Sequence, residues 1–385
     1  MQNFSGSINS KLPGTESSIF AVMSALASET GAINLSQGFP DFPISPKLIE
    51  LVNKYMKKGM NQYAPMLGVQ ALREVISEKV FSTYGATYSP DKEINITAGA
   101  TQALYTIISA IIHEGDEVLI FEPAYDSYIP AIRINGGIPI HAQLQAPDYH
   151  IDWDIVKKMI NKNTKMIIIN SPQNPTGSIL KKEDLKMLVK LTDKTDIIIV
   201  SDEVYEHLIY DGIRHESVCY YPQLAERSYI VYSFGKTLHA TGWKMGYVLA
   251  PENLMKEFRK VHQFNVFTCN TPVQHAIAEY LKDKENYIHL SDFYQQKRDF
   301  FASQIKDSRF KIIPCYGTYF QLLDFSNITD EKETDFAIRM TKEYKLASIP
   351  LSPFYHNNKD NKMLRFCFAK TEETMMKAAE ILNKI

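Results

Sequence analysis

The segment Ser233-Phe234-Gly235-Lys236-Thr237-Leu238 places an amine just beyond an apolar run, Tyr229-Ile230-Val231-Tyr232. A lysine at the end of a buried element loses hydration, its pKa falls, and the neutral amine can condense with an aldehyde. A lysine in a polar surface turn is the common alternative, and this stretch alone does not separate the two. Two upstream apolar runs end in a similar way. After Ile169 comes Asn170-Ser171-Pro172-Gln173-Asn174-Pro175-Thr176-Gly177, and after Val200 comes Ser201-Asp202-Glu203-Val204-Tyr205. Ligands of open α/β sheets sit beyond the carboxyl ends of the strands. Asn174, Asp202, Tyr205, Ser233 and Lys236 are therefore expected to converge on one cleft. Each has a structural alternative: Asn-Pro-Thr-Gly is a common turn, Asp202 can cap a helix, and Tyr205 can belong to the core. Their occurrence together, in this order, is what points to chemistry. A further segment, Thr97-Ala98-Gly99-Ala100-Thr101-Gln102-Ala103, joins a strand to a helix through small residues. Exposed amides at such a helix start, with the Thr101 hydroxyl, can bind an anion, but taken alone the motif is weak, since most such turns contain Gly or Thr.

The elements that would position these residues are short, β-branched and apolar throughout. Ile94 to Ile96, Val118 to Phe121, Met166 to Ile169, Ile197 to Val200, Tyr229 to Tyr232 and Tyr247 to Leu249 read as strands covered on both faces. Leu104, Ile107, Ile108, Ile111 and Ile112 keep helical spacing between the first two. Alternating strands and helices predict an α/β domain with a mostly parallel mixed sheet flanked by helices. From residue 286 the texture changes. A polar helix (Tyr294 to Ile305), strands at Phe310–Ile313 and Thr318–Leu323, a helix at Thr334–Tyr344 and a strand at Met363–Phe368 predict a smaller α+β domain. The expected division is an arm over 1–40 packing with the small domain, a large domain over 41–285 and a small domain over 286–385.

At 385 residues the chain exceeds the usual size of one core. Its net charge of −2 provides no electrostatic basis for binding nucleic acid or an anionic membrane. No apolar run is long enough to span a bilayer, and Met1 to Gly14 lacks the apolar core of a signal peptide. Four cysteines about fifty residues apart show no metal-ligand spacing, so free thiols in a cytoplasmic protein and no metal are expected.

Taken together, these motifs resemble the class I/II aminotransferases, the pyridoxal 5′-phosphate enzymes of fold type I. Among these the chain looks most similar to the branch holding methionine, kynurenine and glutamine aminotransferases. The resemblance runs from Asn34-Leu35-Ser36-Gln37-Gly38-Phe39-Pro40 to Arg365-Phe366-Cys367-Phe368-Ala369. It implies that Lys236 carries the cofactor through its ε-nitrogen and then moves a proton between substrate Cα and cofactor C4′. Asp202 would keep the pyridine nitrogen protonated, while Tyr205 and Asn174 would reach the ring 3′ oxygen. Tyr125 would stack on the ring. The phosphate would lie on Ala100 and Thr101, with Ser233 and Lys244 as further donors. Tyr63 would reach the phosphate of a neighbouring subunit, which implies a homodimer. Lys244 stands where the family often has Arg, which keeps the charge but not the bidentate fork. Gly235 stands where Ser is frequent.

Arg365 is a charge inside an apolar strand pattern, and a buried charge needs a partner. It matches the family's clamp for the substrate α-carboxylate, to which Gly38 would add a backbone contact; a structural salt bridge is the alternative. The stretch Gln263 to Gln274, where dicarboxylate-specific members carry a second arginine, has no Lys or Arg. With Phe20, Phe39 and Phe267 as lining, the pocket suits an apolar or aromatic amino acid, methionine first, with a 2-oxo acid as acceptor. Kynurenine, glutamine or aromatic substrates, or a C–S β-lyase reaction on the same scaffold, are the alternatives. A DNA-binding module is not expected, since no basic helix-turn-helix fits in the short stretch ahead of Gln37.

Overall fold

The computed structural model describes residues 3–385. Its strands in chain order are β1 (Ile33–Asn34), β2 (Ile94–Thr97), β3 (Glu117–Glu122), β4 (Ile138–Gln143), β5 (Thr164–Asn170), β6 (Ile198–Asp202), β7 (Ser228–Ser233), β8 (Gly246–Leu249), β9 (Lys311–Ile312), β10 (Phe320–Asp324), β11 (Leu346–Ala347), β12 (Ile349–Pro350) and β13 (Met363–Cys367). Seven of them form the main sheet in the order β2-β8-β7-β6-β5-β3-β4, in which only β8 runs against its neighbours. Side chains alternate across this sheet. Val118, Ile120, Met166, Ile168, Val200 and Val231 pack beneath the helices Ala100–Ile111 and Tyr128–Ile134. Leu119, Ile167, Ile169, Ile199, Ile230 and Leu249 join the larger core on the other face. Burial on both faces explains why these strands are apolar without interruption.

The expected strands are present, with ends shifted by a residue or two. The shift matters at β6, which extends through Ser201 and Asp202, so the carboxylate is the last residue of the strand and not part of the loop beyond it. β4 is an addition to the expected set. It is an edge strand whose sequence, Ile-Pro-Ile-His-Ala-Gln, is only partly covered, and an edge tolerates the missing N–H of Pro139.

A four-stranded antiparallel sheet, β12-β13-β10-β9, lies in the C-terminal part of the chain. The expected strand at Thr318 begins at Phe320 because Thr318 has a φ of 68°. The expected helix Thr334–Tyr344 runs as Glu333–Arg339 and continues as a π-helical turn, Met340–Tyr344. The N-terminal segment is tied to this region by backbone. β1 pairs in parallel with β11, and the Cys367 N–H donates to the Leu35 carbonyl at 2.8 Å. This brings Ser36 to Phe39 over the C-terminal ends of the main-sheet strands. No described helix is long and apolar enough to cross a membrane.

Candidate active site

Strand register sets the floor of the site. Asn170, the last residue of β5, pairs with Asp202, the last residue of β6. Asp202 is 4% exposed. Its Oδ2 accepts from Tyr128 Oη at 2.6 Å, and its carbonyl accepts from Asn170 Nδ2 at 2.9 Å. Burial pushes the carboxyl up to about 6, against the hydrogen bond from Tyr128. The Asn170 amide oxygen accepts from the Asn174 N–H at 2.9 Å, which anchors the turn that follows. Gln173 braces that turn from inside, accepting from the Thr176 N–H and hydroxyl at 2.9 and 2.6 Å.

β7 ends at Ser233, and the single helical turn Phe234–Thr237 carries Lys236 over the floor. Lys236 Nζ donates to Tyr319 Oη at 2.5 Å and to the Gly38 carbonyl at 3.3 Å. Tyr319 Oη also donates to that carbonyl. Desolvation pushes the amine down to about 8, with Arg365 and Lys244 adding repulsion. The ring of Tyr205, 3% exposed, meets Tyr319 edge-on at 5.3 Å, and Lys236 Nζ lies 5.3 Å from its centroid.

The opposite end of the cleft is built for an anion. Gly99 precedes the helix Ala100–Ile111 with a φ of 80° and provides no side-chain cap, so the first amides of a 12-residue helix face the cleft. Lys244, at φ 52°, packs beside Gly99, and Ser233 and Thr101 line the same space. Thr101 Oγ1 lies 3.2 Å from Tyr125 Oη, which places that ring on the cleft wall. Gly235 has a local reason as well. A Cβ there would lie 3.0 Å from Thr241 Cα and 3.4 Å from Ser233 Oγ.

Arg365 is 1% exposed and has no carboxylate partner among the described residues. Its Nη1 donates to Asn174 Oδ1 at 2.7 Å and its Nη2 to the Ser36 carbonyl at 3.1 Å, while the buried Nε has no partner. Three rings surround the guanidinium: Phe320 at 3.8 Å, Phe20 at 5.0 Å and Phe354 at 5.6 Å. Burial pushes it down to about 10. The alternative of a structural salt bridge at this residue is therefore set aside.

The cleft thus gathers Ala100, Thr101, Tyr125, Asn174, Asp202, Tyr205, Ser233, Lys236 and Lys244, with Gly38, Phe20 and Arg365 on the neighbouring side. Two expected lining residues, Phe39 and Phe267, lie elsewhere, and Tyr63, expected to reach a neighbouring subunit, lies outside its own chain's cleft. Phe39 is 45% exposed, with Lys370 Nζ bound to its carbonyl at 2.8 Å and 4.9 Å from its ring. It therefore does not line this cleft. Tyr63, 83% exposed, and Phe267, 47% exposed, pack on each other at 5.5 Å outside their own chain's cleft. Sequence reasoning missed Asn170, Tyr128, Tyr319, Phe320 and Phe354. Asn170 had a signal, since it ends its strand as Asp202 does. The aromatics read as core.

The donor set fits pyridoxal phosphate: uncapped helix amides with Lys244 and Ser233 at one end, a buried carboxylate at the other, and a dehydrated amine between them. Residues 30–382 match the family model described as aminotransferase class I and II. The methionine aminotransferase of Escherichia coli K12 is 45% identical over 377 residues, covering 98% of each chain. A solved structure of an E. coli protein identified with that function superposes with a TM-score of 0.95 over 98% of this chain and 99% of the other, at 45% identity. Human kynurenine–oxoglutarate transaminase 3 is 32% identical, covering 97% of this chain and 89% of its own. With that fold and these matches, the chain belongs to the class I and II aminotransferases, pyridoxal-phosphate-dependent enzymes of fold type I.

Proposed function

We propose that this aminotransferase moves the α-amino group of methionine, or of a similarly long apolar or aromatic L-amino acid, to a 2-oxo acid. The observation that carries this reading is Arg365: a buried guanidinium held by neutral acceptors, with phenylalanine rings around it and a free Nε. A planar fork without a carboxylate partner is suited to a substrate α-carboxylate. The side chain beside it would meet Phe20, Phe320 and Phe354, and a thioether packs well against aromatic rings. The residues 263–274 contain no cation to read a distal carboxylate. The E. coli relative's name agrees with methionine, and the human relative's name keeps kynurenine as the second reading.

When bound, pyridoxal phosphate supplies an electron sink for the electron pair left on Cα. The chain's own groups do the rest in this reading. The Ala100 and Thr101 amides, Ser233 and Lys244 hold the phosphate end. Asp202 would keep a proton on the ring nitrogen by offering a dehydrated negative charge, and Tyr205 and Asn174 would serve the ring oxygen. Tyr125 flanks the ring. Arg365 and Gly38 orient the substrate carboxylate so that its Cα–H faces Lys236. The neutral Lys236 amine, lowered toward physiological pH, then takes the Cα proton. We further propose a twofold homodimer acting in the cytoplasm. The exposed pair Tyr63 and Phe267 supports it, since such rings form interface anchors. The arm 1–40 and the domains 41–285 and 286–385 are its proposed division.

The test is a substrate panel on purified enzyme with a saturating 2-oxo acid. Methionine is expected to exceed aspartate by roughly 100-fold in kcat/KM, because a distal carboxylate would enter the pocket unpaired. Preference for aspartate overturns the reading. Equal use of kynurenine moves it to the second, and pyruvate release from cystathionine without an acceptor moves it to a β-lyase.

A further inference from the structure

The first two strands of the parallel block, β3 and β4, meet in register with Ile120 beside His141 and Glu122 beside Gln143. The pleat therefore puts Glu122 and His141 on the same face. A segment from the far end of the chain completes a cluster there. The Phe354 carbonyl accepts from the Ala124 N–H at 2.9 Å, and the His356 N–H donates to Glu122 Oε1 at 2.8 Å. These contacts hold His356 against the strand end. His141 Nδ1 lies 2.8 Å from Glu122 Oε1, and His356 Nδ1 lies 2.8 Å from Oε2. The two imidazoles stack at 4.1 Å and 23°. One donor atom from each of the three residues lies within 4.8 Å of the others. We infer that Glu122, His141 and His356 form a binding site for a divalent first-row transition-metal ion of the zinc class.

Charge and ligand chemistry carry this inference. Glu122 is fully buried and has no Lys or Arg ion pair among the described residues; both its oxygens face imidazoles. Two neutral imidazoles and one carboxylate carry a single negative charge, which offsets half the charge of a divalent ion, and hydroxide formed from a bound water offsets the other half. Nitrogen and oxygen donors of this kind select zinc-class ions over magnesium or calcium. At metal–ligand distances near 2.0–2.1 Å, tetrahedral ligand atoms stand roughly 3.3 Å apart. The present 2.8 Å contacts therefore need to open by about half an ångström, and the stacked rings to swing out of parallel, as the ion takes the place of the two Nδ1 protons and each imidazole shifts to its neutral Nε2–H form. Access exists, because the side chains of His141 and His356 are 14% and 39% exposed. That leaves a coordination position for water, as in an open three-ligand site. Lys359, whose Nζ lies 3.1 Å from Gln143 Oε1, is the opposing charge nearby and should moderate affinity. The cluster also joins the main sheet to the segment bearing Phe354, one of the rings around Arg365.

The experiment takes holoenzyme dialysed against a chelator and titrates it with Co²⁺, read by its visible ligand-field bands and by equilibrium dialysis. One equivalent per chain is expected, displaced by Zn²⁺. His141→Gln and His356→Gln, which keep an amide donor toward Glu122, should each weaken binding more than about 100-fold. His150→Gln, at a solvent-exposed histidine, should leave it unchanged. Zn²⁺ soaked into wild-type crystals should give anomalous density between the three side chains, which needs no variant to fold. No saturable binding to wild type, or binding in both cluster variants as strong as in wild type, overturns the site.

Discussion

Asp202 and Glu203 are neighbours in the chain, yet they belong to two differently built sets of buried charge. On the Glu203 side every charge is answered. Its carboxylate accepts from Ser201 Oγ at 2.8 Å, from the Val218 N–H at 3.0 Å and from Tyr232 Oη at 3.1 Å, with His215 Nε2 at 2.8 Å. Close by, Lys79 and Glu206 form a buried ion pair at 2.6 Å, and Tyr84 donates to the same carboxylate. Burial opposes the Glu206 charge, but Lys79 holds it down to about 2. On the Asp202 side burial meets no such answer. Asp202 is pushed up to about 6, Lys236 down to about 8 and Arg365 down to about 10. Paired charges maintain the fold, whereas unanswered ones are poised to meet charges on bound molecules. The difference lies in the partners each group finds, since both sets are buried.

The sharpest way to break this contrast is Lys236→Ala. Removing the base should lower turnover by roughly 10⁴-fold while leaving the melting temperature within a few degrees. Steady-state kinetics beside a thermal melt checks both halves. A large loss of stability with activity retained would place Lys236 with the paired set. The reverse pattern is expected across the strand. Lys79→Met strands the Glu206 carboxylate in the core and should cost about 3–5 kcal/mol of folding stability. A denaturant titration measures that loss, and the KM for the amino acid should barely move in whatever fraction stays folded.

Arg365→Lys should be smaller again. The charge survives but the fork does not, so two charge-assisted hydrogen bonds to a carboxylate become one, a loss of about 3 kcal/mol or roughly 100-fold in kcat/KM. The effect should fall on amino acid and oxo acid alike, since both present the same carboxylate.

Much of the unanswered set is legible in the sequence alone, for a physical reason. A polar residue in the turn that closes a run such as Met166 to Ile169, or a charge within Met363 to Cys367, breaks an apolar pattern and must be accounted for. Asn174, Asp202, Lys236 and Arg365 all betray themselves in that way. Tyr319 and Tyr128 do not. They reach Lys236 and Asp202 across 83 and 74 residues of sequence, and an aromatic residue next to apolar ones looks like core until its hydroxyl has an address. Phe39 shows the opposite failure. Its apolar character suggests a pocket wall, but its ring is half exposed beside Lys370, a neighbour 331 residues away that the local sequence does not reveal. The Glu122 cluster is hidden for the same reason, because His356 arrives from the other end of the chain.

The smallest expected effect is also the most discriminating, because it has the opposite sign to most core substitutions. The Asp202 carboxyl titrates at about 6 in the fold against 3.8 as a free side chain. Between those values the folded protein holds a proton that the unfolded chain has released. Stability therefore falls as pH rises through that window, and above it the full cost remains, about 3 kcal/mol at 1.36 kcal/mol per unit. Asp202→Asn keeps an oxygen to accept from Tyr128 but carries no charge. The cofactor-free variant should thus be more stable than wild type at pH 7, by roughly 2–3 kcal/mol, and nearly equal to it near pH 4. Added pyridoxal phosphate should stabilise wild type more than the variant, since only the carboxylate answers a protonated ring nitrogen. Urea melts at the two pH values, with and without the cofactor, measure all three differences. A variant less stable than wild type at pH 7 would mean that Asp202, like Glu203, is already satisfied by the fold.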